Sequence, residues 1–280
     1  MDRLPFGIDR LDGIVDGGAP AGSVVLLSGE AGSGAREFMY TAAVMNGLAR
    51  AGDSDLFDLH YGDLHANARL PEEIHYISFT ADADQLRSEI GMAMDTDIAE
   101  QGLEAVTFHP LSKHFFHVSP VPRDWYAGKT VDIKNLRKRH ESREGILSAL
   151  GERLTLHAPG NLVVIDSLSD LVATLGEQIS WSDITYLLKG LQKAAHNWRG
   201  LILLHVTRET LSETRHGQLV DACSGTMQFQ WETGGSERAR TLVVKQFRGV
   251  LSQIEDDDIV QFETELGDAG FDISDVRKIR

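Results

Sequence analysis

The stretch SGEAGSGARE, residues 28–37, sets Gly29 and Gly34 at the G-x4-G spacing of a phosphate-binding loop. Glycines at such positions tolerate positive φ and let an anion reach backbone N–H groups at the positive end of the following helix. Gly29, Glu30, Ala31, Gly32, Ser33 and Gly34 are therefore the candidate phosphate cradle, followed by Ala35 and Arg36. A dinucleotide fingerprint, G-x-G-x-x-G, would need a third glycine at position 37, where Glu37 stands instead. A working P-loop continues with Lys and then Ser or Thr, an ammonium for the phosphates and a hydroxyl for Mg2+. Ala35 and Arg36 supply neither.

Other residues carry weaker signals. NLVVID, residues 161–166, ends an apolar run in Asp166, placed to hold a cation or to accept loop N–H groups. FHPLSKHFFHVSPVPRDWYAG, residues 108–128, gathers His109, His114 and His117. No Cys or carboxylate falls at ligand spacing beside them, which favours ordinary loop histidines over a metal site. Cys223 is the only cysteine, so an internal disulfide is excluded and a reducing compartment is expected.

The elements that would position these groups follow from periodicity. SVVLLS (23–28), HYISF (75–79), NLVVID and LILLHV (201–206) are short, continuous apolar runs of the kind buried on both faces of a sheet. Between them, REFMYTAAVMNGLARAG has helical spacing and a Gly52 stop, and DADQLRSEIGMAM starts with Asp82 or Asp84 as N-cap. SWSDITYLLKGLQKAAHNW (180–198) is an amphipathic helix capped by Ser180 or Ser182. The alternation predicts an α/β fold: a mostly parallel central sheet with helices on both faces. After residue 225, TMQFQWE, RTLVVKQF and DIVQFETE, separated by TGGSER and EDDD, predict an antiparallel C-terminal extension of that sheet. No linker divides the chain, so residues 1–280 are read as one domain, with insertions expected at 53–73 and 108–128.

RLPFGIDRLDGIVDGGAPAGSVVLLSGEAGSG resembles the opening of the RecA superfamily, in its KaiC-like branch: Gly7-Ile8, Leu11-Asp12, Gly17-Gly18 and Pro20-x-Gly22 stand in the branch's order. NLVVIDSLSDL resembles the Walker B strand, RTLVVKQFRG the late strand that sends basic residues toward a neighbouring subunit's nucleotide, and GFDIS the closing strand. The resemblance spans nearly the whole chain outside the two insertions. It implies a RecA-like P-loop fold, ATP with Mg2+ as cofactors, Asp166 holding Mg2+ through water, and hexameric rings.

Position by position, the sequence departs from that pattern. Ala35 replaces the lysine, whose charge-assisted hydrogen bond is worth about 1.5–3 kcal/mol, so affinity is expected to fall about 10- to 100-fold. Arg36 replaces the Mg2+-binding hydroxyl with a cation; it sits about 100° around the helix from position 35, leaving phosphate contact to its long side chain. Thr80 and Ala81 in ISFTAD occupy the places of the catalytic glutamates, so no general base remains there. Arg248 matches the late arginine before Gly249, whereas Gln246 takes the lysine position and Lys245 is displaced by one.

The reading is a degenerate KaiC-like protein, a regulatory or scaffolding subunit with weak or vestigial ATP binding and little hydrolysis. Its expected partner is itself or an intact KaiC-like homologue. The alternative is an active ATPase using Arg36 in place of the lysine. A recombinase-like role on DNA draws only on KNLRKRHESR (134–143), and a net charge of −15 opposes nucleic-acid binding. The acidity comes with 24 Asp and 8 Lys, which resembles proteins of salt-accumulating halophilic archaea. With no apolar run of about 18 residues and no secretory pattern at the N-terminus, no membrane span and a cytoplasmic location are expected.

Overall fold

The computed structural model describes residues 2–52, 54–117, 119–126, 145–174, 179–232, 239–250 and 259–278. The basic segment 134–143 and the turns TGGSER and EDDD lie outside the described residues. Strand β1 (Arg3–Leu4) pairs antiparallel with β2 (Ala19–Pro20), with helix α1 (Asp9–Ile14) between them. The sequence then enters the sheet at β3 (Ser23–Gly29) and crosses through α2 (Ala35–Ala51) and α3 (Ser54–His60) to β4 (Ile74–Ser78). Helices α4 (Ala83–Ala93) and α5 (Thr96–Glu104) lead to β5 (Val106–Pro110). Next come α6 (Ser112–Phe116), α7 (Ile146–His157), β6 (Leu162–Asp166), α8 (Leu168–Ala173), α9 (Trp181–Trp198), β7 (Leu201–Thr207) and α10 (Glu213–Ala222). Four strands close the chain: β8 (Gly225–Glu232), β9 (Ala239–Phe247), β10 (Ile259–Gly267) and β11 (Gly270–Lys278).

Nine strands form one sheet in the order β11-β10-β9-β8-β3-β7-β6-β4-β5. The six from β8 to β5 run parallel; β9, β10 and β11 add antiparallel. All seven residues of β3 are buried, because its two faces meet two different cores. Val25 and Leu27 join the core under α2, α4 and α5, while Val24 and Leu26 join the one under α7, α8, α9 and α10. The continuous apolar runs are thus two interleaved period-2 patterns, each facing its own helical layer. The expected mostly parallel sheet with an antiparallel extension is the observed one.

Capping follows the expected chemistry in its details. Asp82, not Asp84, caps α4, accepting from Gln85 N at 2.9 Å. Ser180 caps α9 and exchanges hydrogen bonds with Asp183. The expected insertions are more ordered than an irregular excursion. Residues 53–73 contain α3, whose Phe57 is buried and stacks on buried Tyr61 at 4.8 Å between ring centroids. Segment 108–128 begins inside β5, so His109 belongs to the sheet and not to a loop.

The N-terminal motif residues hold the chain's entry to the sheet. Asp12 is completely buried and accepts from Phe6 N (2.8 Å), Gly7 N (2.9 Å) and Tyr61 Oη (3.0 Å). Burial pushes its carboxyl up to about 7, against the pull of these donors. Gly18 has φ +113°, and a Cβ there would stand 2.1 Å from Leu4 O, so β1 and β2 close only over glycine. Asp12→Ala is expected to cost about 2–4 kcal/mol in urea unfolding, because it orphans buried donors. Tyr61→Phe, which removes one donor and leaves the carboxyl its backbone partners, should cost about 1 kcal/mol.

Candidate nucleotide site

Strand β3 ends at Gly29 and α2 begins at Ala35, so residues 29–34 form a loop at the carboxyl end of a central parallel strand. That end is where ligands of open α/β sheets bind. Gly34 is the N-cap of α2 with φ 104°, and Gly32 has φ 73°; at Gly34 a Cβ would press on the Phe271 ring at 3.1 Å. Ser33 is buried, and its Oγ donates to Glu30 O at 2.7 Å. The loop is pinned from outside by the β8–β9 pair. Trp231 N donates to Glu30 Oε2 and Trp231 Nε1 to Ala31 O, each at 3.1 Å. Arg240 Nε donates to Gly32 O at 3.1 Å, its guanidinium lying over the Trp231 ring. A cleft of about 270 Å³ opens inside, lined by residues 29–37 with His205 and Thr207. One loop amide already has an anionic partner: Ala31 N donates to the Glu209 carboxylate at 3.1 Å.

Strand parity decides which strand residues lie on the α2 side of the sheet, where this cleft opens. Asp166 on β6, His205 on β7 and Tyr76 on β4 share the alternation of Leu162, Leu203 and Ile74, so all three project to the α2 face. Asp166 is buried; its Oδ2 accepts from Tyr76 Oη at 3.0 Å. Its Oδ1 accepts from Arg36 Nη2 at 3.1 Å, and His205 Nδ1 stands 3.6 Å from the same oxygen. Burial raises the Asp166 carboxyl, but the His205 ring, the Arg36 charge and Tyr76 outweigh it and hold it below the usual carboxylate range. Burial opposes the Arg36 charge as well, and the facing carboxylate more than restores it. Arg36 thus spans from the first turn of α2, past β7, to the end of β6.

The fold recurs in solved proteins. No protein-family model matches the sequence, and no curated protein matches it either. Among solved structures, the KaiC-like protein PH0186 from the hyperthermophilic archaeon Pyrococcus horikoshii OT3 superposes with TM-score 0.58 at 18% identity, covering 98% of this chain and 99% of that one. The flagellar accessory protein FlaH from Methanocaldococcus jannaschii superposes with TM-score 0.59 at 14% identity, covering 99% of each chain. The fold is RecA-like.

Thr80 is exposed and Ala81 is buried with its N–H on Ser78 Oγ, so neither brings a carboxylate to the cleft. Arg248 follows β9, whose Phe247 pairs with Gly225 at the start of β8; it therefore lies at the opposite end of the sheet from the loop. There Arg248 Nη1 donates at 2.8 Å to the Gln192 amide oxygen, in the amide orientation that also lets Gln192 donate to Ala222 O. Lys245 is the extra residue of a β-bulge and is exposed, while Gln246 Nε2 donates to Val220 O and Cys223 O. Cys223 is buried, and burial pushes its thiol up to about 12. Sequence reasoning missed His205, Tyr76, Glu209 and Arg240. The first two sat in runs read as buried strand, and the others are brought in only by the fold.

A Mg2+ ion does not fit this donor set. The hydroxyl that should share it is absent, and the acid that should hold it is already neutralised by a guanidinium 3.1 Å away. The glycine cradle does fit an anion in shape. No described helix is long and apolar enough to cross a membrane. Removing Arg36 would leave Asp166 buried without its counter-ion. Because Arg36 is 48% exposed, solvent screens the pair, and Arg36→Gln is expected to lower stability by about 1–2 kcal/mol at pH 7. The lowered Asp166 carboxyl contributes stability above its unfolded value near 4 and loses it as pH falls below that. The gap between wild type and Arg36→Gln should therefore close on acidification below about pH 4 in urea titrations.

Proposed function

We propose that the chain is a regulatory or scaffolding subunit that keeps the phosphate cradle of a RecA-like ATPase without its hydrolytic machinery. The observation that carries this reading is the Arg36–Asp166 ion pair, which seats a fixed cation at the carboxylate a metal would need. Three further features support it. Ala35 ends the loop in a methyl group; Thr80 and Ala81 supply no base; and Glu209 sets a carboxylate on the Ala31 amide, where a phosphate oxygen would compete with it. Charge repulsion from Glu209 and loss of the lysine act in the same direction, toward weak or absent ATP binding. The proposed partner is a second copy of this chain or an intact KaiC-like homologue. That assignment rests on the resemblance to ring-forming proteins.

The test is turnover and binding on one preparation. Phosphate release from ATP is expected to stay at buffer background. Binding of a fluorescent ATP analogue at high salt should not change when Mg2+ is replaced by chelator. Turnover typical of the family, abolished in Asp166→Ala, would overturn the reading and establish the active alternative. The paired substitution Ala35→Lys with Arg36→Thr restores both missing groups and frees Asp166. It is expected to tighten the analogue by about 10-fold or more, with a Mg2+ dependence the wild type lacks.

A further inference from the structure

On the sheet face opposite the phosphate loop, three histidines from three elements converge. His75 on β4 and His109 on β5 share the alternation of Ile77, so both project toward α7, where His157 is the last helical residue. His75 Nδ1 lies 3.1 Å from His109 Nε2, and one ligand nitrogen from each of the three rings falls within 4.8 Å of the others. The ring centroids are 4.5–5.2 Å apart. A tetrahedral ion with bonds of about 2.0–2.1 Å needs nitrogens about 3.3 Å apart, so small side-chain adjustments would close the set.

We propose that His75, His109 and His157 bind one divalent transition-metal ion of the zinc class, with solvent completing the coordination. His75 is buried, while His109 and His157 are half-buried, which leaves an entry path and an open position for water. The surroundings favour a cation. Glu73 Oε2 lies 3.0 Å from His75 Nε2, the carboxylate–histidine arrangement that holds the proton on the outer nitrogen and turns the other lone pair inward. Asn161 Nδ2 approaches the same nitrogen at a longer 3.3 Å and also donates to His157 O at 2.9 Å, anchoring the end of α7. That helix end carries partial negative charge and points it at the cluster. Burial, the two neighbouring imidazoles and Arg153 hold His109 below the usual imidazole range. Arg153 opposes a cation here and Glu73 favours one. His114, within α6, and His117, the residue that follows it, are not in the cluster.

The site stands apart from the nucleotide reading and is tested without it. The tag-free full chain, stripped with chelator, is titrated with Zn2+ by calorimetry and with Co2+ as an optical probe. One equivalent of Co2+ with the strong visible bands of a low-coordinate imidazole site is expected. His109→Ala and His157→Ala should each weaken Zn2+ at least about 10-fold, and Glu73→Gln should weaken it less. His157→Gln, a substitution at a half-buried position, serves if the alanine variant misfolds by circular dichroism. His114→Ala should bind as wild type. Absence of stoichiometric uptake, or uptake unchanged in the His109 and His157 variants, would overturn the proposal and leave a hydrogen-bonded histidine network only.

Discussion

One ion pair sets the character of the candidate site. Asp166 is 4% exposed at the end of a central strand, where an unpaired carboxylate would be costly. Arg36 meets it from the helix that begins where the phosphate loop ends. The pair ties the first turn of α2 to the end of β6, on the far side of β7. Tyr76 takes the second carboxylate oxygen and His205 approaches the first, so little of the acid is left to offer. A half-buried pair of this kind is poor evidence for extra stability, since solvent screening and desolvation offset most of the attraction. Its consequence is chemical: the Asp166 carboxylate already has a side-chain cation 3.1 Å away.

The second constraint is the pleat. Because successive strand residues face opposite layers, Tyr76 and His75 are neighbours in sequence yet belong to different chemistry. Tyr76 joins Asp166 beneath the phosphate loop, and His75 joins His109 and His157 on the other side. A slip of one residue in β4 would exchange them and strand both. The single sheet therefore supports two separate polar clusters without either seeing the other.

Much of this was legible in the sequence where the signal is local. The buried strands, the loop, α2 with its Gly52 stop, and the Ser180 cap all follow from short-range periodicity and capping chemistry. The residue types at positions 35, 36, 80 and 81 are also readable, because the motif fixes which positions to compare. What the sequence withheld is long-range. Arg36 and Asp166 are 130 residues apart, and nothing near Arg36 signals that its guanidinium turns to the acid and not into solvent. His109 groups in the chain with His114 and His117, whereas the fold brings it to histidines 34 positions before, on β4, and 48 after, at the end of α7. His205 was hidden inside an apolar strand, where one polar residue does not disturb the pattern. The helix at 54–60 was missed because acidic residues surround the few apolar ones that pack.

Whether Asp166 is available to a metal decides the character of the site. Crystals grown with ATP and Mn2+, measured at the manganese absorption edge, test this directly. The arrangement described here predicts no anomalous peak within coordination distance of Asp166, with Arg36 still on its carboxylate whether or not phosphates occupy the loop. A manganese ion bridging Asp166 and a phosphate, with Arg36 swung away, would contradict it.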